Sequence, residues 1–367
     1  MRKTMWRASL LLASTFGLTC AWAASDALDF QIHVNDPKLP NIVVVATGGT
    51  IAEKTDPKTG GAVPALSGQA LVEAVPQLKT LVNVGVAEFS NIDSSQMAPE
   101  DWARLSRAVD KILERDDIVG VIVTHGTDTM AEGAYFLELT LKSDKAVVFT
   151  GAMNDASSPS PDGPGNILNA AIQVISDQSR DWGVTVTLNS FINSARGVRK
   201  TDKTNPQTFM SGHEGYLGYI VAGEVKRINT RLYRQKLSLP EALPKVTYLS
   251  TFSGDDGSLV KFAADSGAEG IVIDGVGAGN VNAAVFESVK YALSKNIAVV
   301  IGSRVYHGSV APLYGDQGGG ETLQNSGCIL AGDLLGHKAR LLLMLGIANY
   351  KGDPNKIKSL FSPVAVY

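Results

Sequence analysis

The chain holds 367 residues, 44% of them apolar and 19% charged, with a formal net charge of −3. That length exceeds what one hydrophobic core usually serves, so two domains are expected, and the composition is that of an ordinary globular protein. No Lys/Arg run is long enough for a nucleic-acid surface, and no apolar run after residue 23 suggests a membrane span.

Residues 1–23 stand apart. Arg2, Lys3 and Arg7 give a basic start, residues 8–18 are mostly apolar, and Ala21-Trp22-Ala23 fits a small-x-small cleavage site. This is the pattern of a secretory signal peptide. Cys20 follows Thr19, where a lipoprotein box has a smaller residue, so soluble export to the periplasm is expected rather than lipid anchoring. Cleavage would remove three cations and no acid, moving the formal charge from −3 to −6, and would leave Cys328 as the sole cysteine. An intramolecular disulfide is then impossible. Residues 24–40 read as a leader, either mobile or forming a short edge segment.

From Asn41 the chain alternates between strand and helix patterns. Val43, Val44 and Val45 read as a buried strand ending in Thr47-Gly48-Gly49-Thr50. Residues 99–113 place Trp102, Leu105, Val109, Ile112 and Leu113 at helical spacing behind Pro99. Residues 118–123 form a short apolar run, read as a buried parallel strand. A helix is predicted over 129–142, a strand over 146–150, a helix over 166–176 and a strand over 184–188. Residues 191–224 are rich in Gly, Ser, Thr and Asn without helical period, and predict hairpins or irregular loops.

Residues 227–245 carry many charges with Pro240 and Pro244, and read as an interdomain connection. A second alternation follows, with strands at 246–250, 270–274 and 298–301 and helices at 282–294 and 338–348. The reading is an α/β protein with two open, parallel-type sheets: an N-terminal domain over 41–226, a linker over 227–245 and a smaller C-terminal domain over 246–367.

Ligand sites in such sheets gather at the carboxyl ends of strands. Two hydroxyl-rich segments fall there: Thr47 to Thr50, and Thr124-His125-Gly126-Thr127-Asp128-Thr129. Phosphate binding, nucleophilic chemistry and a plain turn are all open for the first. No Gly-Lys-Ser/Thr follows it, and Gly48-Gly49 does not complete a dinucleotide fingerprint. His33, His125, His213, His307 and His337 show no metal-ligand spacing. A cofactor-free hydrolase using a hydroxyl nucleophile remains. Such a hydroxyl needs a base or a neighbour that eases loss of its proton; Asp128, and Lys200 in the polar region 196–209, are the candidates. The competing reading has these threonines capping helices and turns.

The motifs ATGGTIA (46–52), AVPQL (74–78), THGTDTM (124–130), AYFLELT (134–140), GAM (151–153), DGPGNILNA (162–170), KTDKTNPQTF (200–209), GVGAGN (275–280) and HKARLLL (337–343) are all present. With these the chain resembles the bacterial-type L-asparaginases and glutaminase-asparaginases, most closely the exported type II group, from about residue 39 to the C-terminus. The pairing of TGGTIA with HGTDTM carries the resemblance.

The resemblance implies a two-domain asparaginase-like fold and a cofactor-free amidohydrolase converting L-asparagine, and to some extent L-glutamine, through an acyl-enzyme. Thr50 is then the primary nucleophile, and Thr127, Asp128 and Lys200 form a second catalytic group, with Thr127 near the oxyanion and Asp128 holding the substrate α-amino group. Ser94 contacts the α-carboxylate. Asn280 reaches the active site of a neighbouring subunit, which implies a homotetramer with sites at intimate dimer interfaces. The chain departs from the family pattern in three places. Ser95 stands where Gln or Glu is common, shortening one amino-group contact. Residues 55–80 contain no tyrosine, although the family carries one in this loop; its position falls at Ala62, with Gly61 the alternative. The glutamate supplied by the neighbouring subunit has no clear counterpart, Glu321 and Asp316 being the candidates in a long Gly-rich segment, 306–326. These departures leave open a silent or weak amino-acid-binding relative, or an enzyme shifted toward glutamine or a D-amino acid amide.

Overall fold

The computed structural model describes residues 27–362. The expected signal peptide, Cys20 included, lies outside the described residues.

Asn41–Ala46 is the strand around which the larger sheet is built. Ile42 to Val45 are fully buried, and they divide by parity as a strand requires. Val43 and Val45 face the core containing Trp102, Leu105 and Val109 from Pro99–Leu113. Ile42 and Val44 face Ile167, Ala170 and Ala171 from Gly163–Ile175. Burial on both faces explains why the strand reads as a continuous β-branched run. It pairs in parallel with Asn83–Glu88 on one side and Ile118–Thr124 on the other. Ala146–Thr150 and Val184–Leu188 continue the parallel order.

The larger sheet has nine strands and is mixed, which corrects the parallel-type expectation. Phe191–Ser194, Gly218–Val221 and Glu224–Arg227 add antiparallel strands at one edge. The region predicted as hairpins or loops thus supplies an edge of the sheet. At the other edge Ile32–His33 pairs antiparallel with Asn83–Glu88. Gly85 allows this approach: a Cβ there would stand 2.8 Å from Ile32 Cδ1 and from Phe30 Cδ2.

The smaller sheet is parallel, in the order Val246–Ser250, Gly270–Gly275, Ala298–Ser303, Ile329–Leu330. Ile271, Ile273, Val299 and Ile301 face a core with Val285, Phe286 and Val289 of the helix Ala283–Ser294. Val272 and Val300 face the opposite way, toward the long helix Gly336–Tyr350. Leu341, Leu342 and Leu345 of that helix share one apolar cluster with Tyr135 and Phe136 of Met130–Thr140. The cores of the two sheets therefore meet across a helix–helix contact.

Polar groups reinforce that contact. Lys338 is fully buried, and its ammonium donates to the carbonyl oxygens of Ala195 (2.7 Å), Arg196 (2.8 Å) and Val198 (2.6 Å). Burial pulls its pKa down to about 7. The helix Gly336–Tyr350 thereby fixes the segment leading to Lys200. Arg196 extends the link with ion pairs to Glu214 (3.0 Å) and Asp333 (2.6 Å).

Residues 228–245 cross between the sheets without regular structure. They are anchored by Arg231, whose guanidinium lies 2.6 Å from Glu138 Oε1, while Glu138 Oε2 accepts the Val184 N–H at 2.8 Å. Glu138 is 5% exposed, and burial raises its pKa against the opposing pull of Lys236 and Arg231. Truncating Arg231 to alanine leaves a buried carboxylate with only Lys236 to balance it. Such losses cost about 3–5 kcal/mol, and Lys236 places this one near the lower end. Urea unfolding at pH 7 is expected to show that loss for Arg231→Ala.

Candidate active site

The ends of two adjacent parallel strands build the site. Beyond Ala46, the Thr47 N–H and its hydroxyl both donate to the Thr124 carbonyl, at 3.1 and 2.9 Å. This pins the two crossing segments at their start. Gly48 and Gly49 then turn the chain at φ +102° and +82°. At Gly49 ψ is −178°, a combination open essentially to glycine alone. Space demands glycine as well: a Cβ on Gly49 would overlap Gly126 Cα and stand 2.5 Å from Gly126 N. The two hydroxyl-rich segments therefore touch glycine against glycine. We expect Gly49→Ala to cost about 1–3 kcal/mol through the backbone conformation alone, with the overlap adding to it. A thermal melt should fall accordingly.

Thr50 opens a single 3₁₀ turn, Thr50–Ala52, and is partly exposed. On the neighbouring strand end, Thr127 is 5% exposed, and its hydroxyl accepts a hydrogen bond from Lys200 Nζ at 3.0 Å. The same ammonium lies 2.7 Å from Asp128 Oδ1. The Lys200 side chain is mostly covered, whereas Asp128 faces solvent. Lys200 is presented by the strand Arg199–Lys200, paired antiparallel with Phe209–Met210. Three residues singled out in the sequence thus converge from segments 72 and 73 positions apart.

Ser94 joins them. It is 3% exposed, at the start of the short 3₁₀ turn Ser94–Gln96, and its Oγ lies where a Cβ on Gly126 would come within 2.6 Å. The Ser94 carbonyl accepts the Thr129 hydroxyl at 2.8 Å. Ser95 is exposed, with its N–H donated to Asp93 Oδ1 at 2.7 Å.

His125 holds the middle of the second segment. It is fully buried, and burial lowers its pKa to about 4, so the ring is neutral at pH 7. The indole N–H of Trp102 donates to Nε2 at 3.4 Å, which leaves Nδ1 as the donor to the Gly126 carbonyl at 2.7 Å. His125 is a support for the Gly126 turn.

Asn280 follows the strand Gly270–Gly275 of the smaller sheet. Its backbone pairs with Val276 and its side-chain oxygen is buried without a hydrogen-bond partner. No hydrogen bond ties it to Thr127, Asp128 or Lys200 among the described residues. Glu321, in the first turn of Gly320–Asn325, and Asp316 are also on the smaller domain, both exposed. Ala62, the position expected for a loop tyrosine, is exposed on a short hairpin in which Glu53–Thr55 pairs with Ala62–Pro64. The sequence reading missed that hairpin, and with it Glu53, which is only 6% exposed and interacts with the Thr50 hydroxyl. The available signal was its spacing of three from Thr50. Among the described residues no cluster of three or more His, Cys, Asp or Glu side chains is arranged to hold a metal ion.

Residues 41–233 match the family model for the asparaginase N-terminal domain, and residues 245–361 that for the glutaminase/asparaginase C-terminal domain. The chain belongs to the asparaginase family. A probable periplasmic L-asparaginase of Haemophilus influenzae is 38% identical over 338 residues, spanning 89% of this chain and 94% of that protein. L-asparaginase 2 of Escherichia coli is 37% identical over 332 residues, 88% of this chain and 93% of that one. The crystal structure of a probable cytoplasmic L-asparaginase from Campylobacter jejuni superposes with a TM-score of 0.80 at 39% identity, covering 88% of this chain and 99% of that one. The asparaginase fold, with a large mixed-sheet domain and a small four-stranded parallel one, accounts for the architecture described above.

Proposed function

We propose that this asparaginase-family enzyme hydrolyses L-asparagine to L-aspartate and ammonia, with Thr50 as nucleophile. The observation that carries the reading is the convergence of Lys200, Thr127 and Asp128 beside the glycine turn that presents Thr50. Attack by the Thr50 oxygen on the side-chain amide carbon gives a tetrahedral oxyanion. Its collapse expels ammonia and leaves an ester on Thr50; water then releases aspartate.

In this reading the Lys200 charge orients the Thr127 hydroxyl toward the reacting carbonyl, where an oriented donor is commonly worth about 2.7–4 kcal/mol. Asp128 presents an open carboxylate to the substrate α-ammonium. Ser94 meets the α-carboxylate, and Ser95, shorter than Gln or Glu, leaves room beside the amino group. Asn280 acts in a neighbouring subunit's site, within a homotetramer whose sites lie at intimate dimer interfaces. Its unpartnered side-chain oxygen is consistent with a partner group completing it. The domain limits of 41–226 and 246–367, joined by 227–245, and export to the periplasm belong to the same proposal, the latter resting on the pattern of residues 1–23.

Ammonia release from L-asparagine, L-glutamine and D-asparagine, measured side by side on the purified chain, tests the substrate. Faster release from L-asparagine is expected. Aspartate binding in calorimetry with no ammonia from any amide would instead make the protein a silent binding relative.

A further inference from the structure

Thr50 and Glu53 are the two ends of one turn. The Glu53 N–H closes it by donating to the Thr50 carbonyl. Three residues per turn bring side chains i and i+3 into line, so Glu53 lies on the face of the turn that carries Thr50, and the Thr50 hydroxyl lowers its pKa. The surroundings of Glu53 are unusual for a carboxylate. It is 6% exposed, and acids are almost never buried without a cationic partner. Three acids raise its pKa further: Asp93 from the turn before Ser94, Asp155 from the segment after Ala146–Thr150, and Asp128 from the segment after Ile118–Thr124.

That segment after Ala146–Thr150 closes over it. The Ala156 N–H donates to the Glu53 carbonyl at 3.1 Å, and the Thr55 N–H to Ser157 Oγ at 2.9 Å. A buried acid among acids is a cost to the fold. Beside the hydroxyl at the site it has a chemical use.

We propose that Glu53 is the catalytic base of Thr50. The inference rests on the reading of Thr50 as nucleophile. The Glu53 carboxylate accepts the Thr50 Oγ proton as Oγ bonds to the amide carbon. When the carbon–nitrogen bond breaks, the same proton passes to the leaving nitrogen, which departs as ammonia. In the second half-reaction Glu53 takes a proton from water as the water oxygen bonds to the ester carbon, then returns it to Thr50 Oγ as the ester bond breaks. Atoms and charge balance with no further reactant. Residues 55–80 contain no tyrosine to share this work. Burial first, then Asp93, Asp155 and Asp128, hold the Glu53 carboxyl above its ordinary range, against the lowering by Thr50. This makes it a stronger base than a free carboxylate.

Glu53→Gln keeps the shape and removes the base. Its kcat on L-asparagine is expected to fall about 10²–10⁴-fold, with KM within about threefold and the acid limb of the kcat profile lost. Its melting temperature carries a second signature. Because the folded pKa is raised, the favourable share from Glu53 is complete below the unfolded value of about 4.3 and disappears as pH rises through the folded value. The variant should therefore melt at or above wild type at pH 8, and the gap should close toward pH 4.

A folded Glu53→Gln enzyme with kcat within about threefold of wild type would overturn the assignment. If that variant does not fold, single-turnover acylation by the wild type decides. One ionisation above the ordinary glutamate range supports Glu53, and a flat profile down to pH 4 overturns it. Activity retained by Thr50→Ala would be a different failure, that of the nucleophile reading itself.

Discussion

Thr50→Ala is expected to lower ammonia release from L-asparagine by at least about a thousandfold. The substitution removes one hydroxyl from a partly exposed position at the start of a 3₁₀ turn. The turn is closed by backbone bonds, Ala52 N–H to the Gly49 carbonyl at 2.7 Å and Glu53 N–H to the Thr50 carbonyl, and these do not use the side chain. The fold should therefore lose little beyond the help the Thr50 hydroxyl gives the buried Glu53 carboxylate, about 1–3 kcal/mol. The kinetic effect comes from a different source. Without Oγ no ester can form, and water alone must attack an unactivated amide. Residual acceleration would come from the groups around Thr127, which is why the expected loss stops short of the uncatalysed rate. Ammonia release and a melt, run on the same preparation, separate the two effects.

Lys200→Met ranks second. Methionine retains much of the side-chain length and removes the ammonium that holds both Thr127 Oγ1 and Asp128 Oδ1. The Asp128 pair is solvent-facing on the acid side, so its loss matters little to stability, within about 1 kcal/mol. The Thr127 contact is better covered and, in the proposed mechanism, has a directional role. Once it is lost, the hydroxyl turns freely and the developing oxyanion has no fixed donor. One misplaced donor costs about 10²–10³ in kcat. The expectation is a kcat drop of that size with KM raised less than tenfold, read from steady-state kinetics at several L-asparagine concentrations. A rise in KM of that size with kcat unchanged would assign Lys200 to substrate holding alone.

The parts of this molecule that could be read in advance have a physical reason for being readable. Pro99–Leu113 announces itself through a proline at the start and a clean apolar stripe that packs on one face of the sheet. Val246–Ser250 and Ala146–Thr150 are short runs between turn residues, and their bounds agree with expectation. Asn83–Glu88 is not legible, because Gly85 and two polar ends dilute its pattern. Its place in the sheet comes from parallel pairing along the whole of Asn41–Ala46, a tertiary contact. The antiparallel edge from Phe191 to Arg227 is legible only as hairpins or loops, since its strands are short and Gly218–Val221 and Glu224–Arg227 are partly exposed.

The same division runs through the site. Thr50, Thr127 and Asp128 are visible because they follow strand ends in glycine-rich motifs. That Lys200 reaches Thr127 is a tertiary fact, set by Lys338 gripping three carbonyls of residues 195–198 from the other domain. Glu53 was overlooked because Glu-Lys-Thr-Asp-Pro-Lys-Thr reads as a solvated loop. Its burial is created about a hundred residues later, when 153–158 folds across the hairpin.

The most direct measurement is acid-quench mass analysis of the enzyme mixed with excess L-asparagine, followed by digestion and mapping of any covalent adduct. The account predicts a peptide containing Thr50 heavier by one aspartyl residue. The adduct should form before steady-state ammonia release is reached and be absent from Thr50→Ala. An adduct on Thr127 instead, or full turnover by Thr50→Ala, would contradict it.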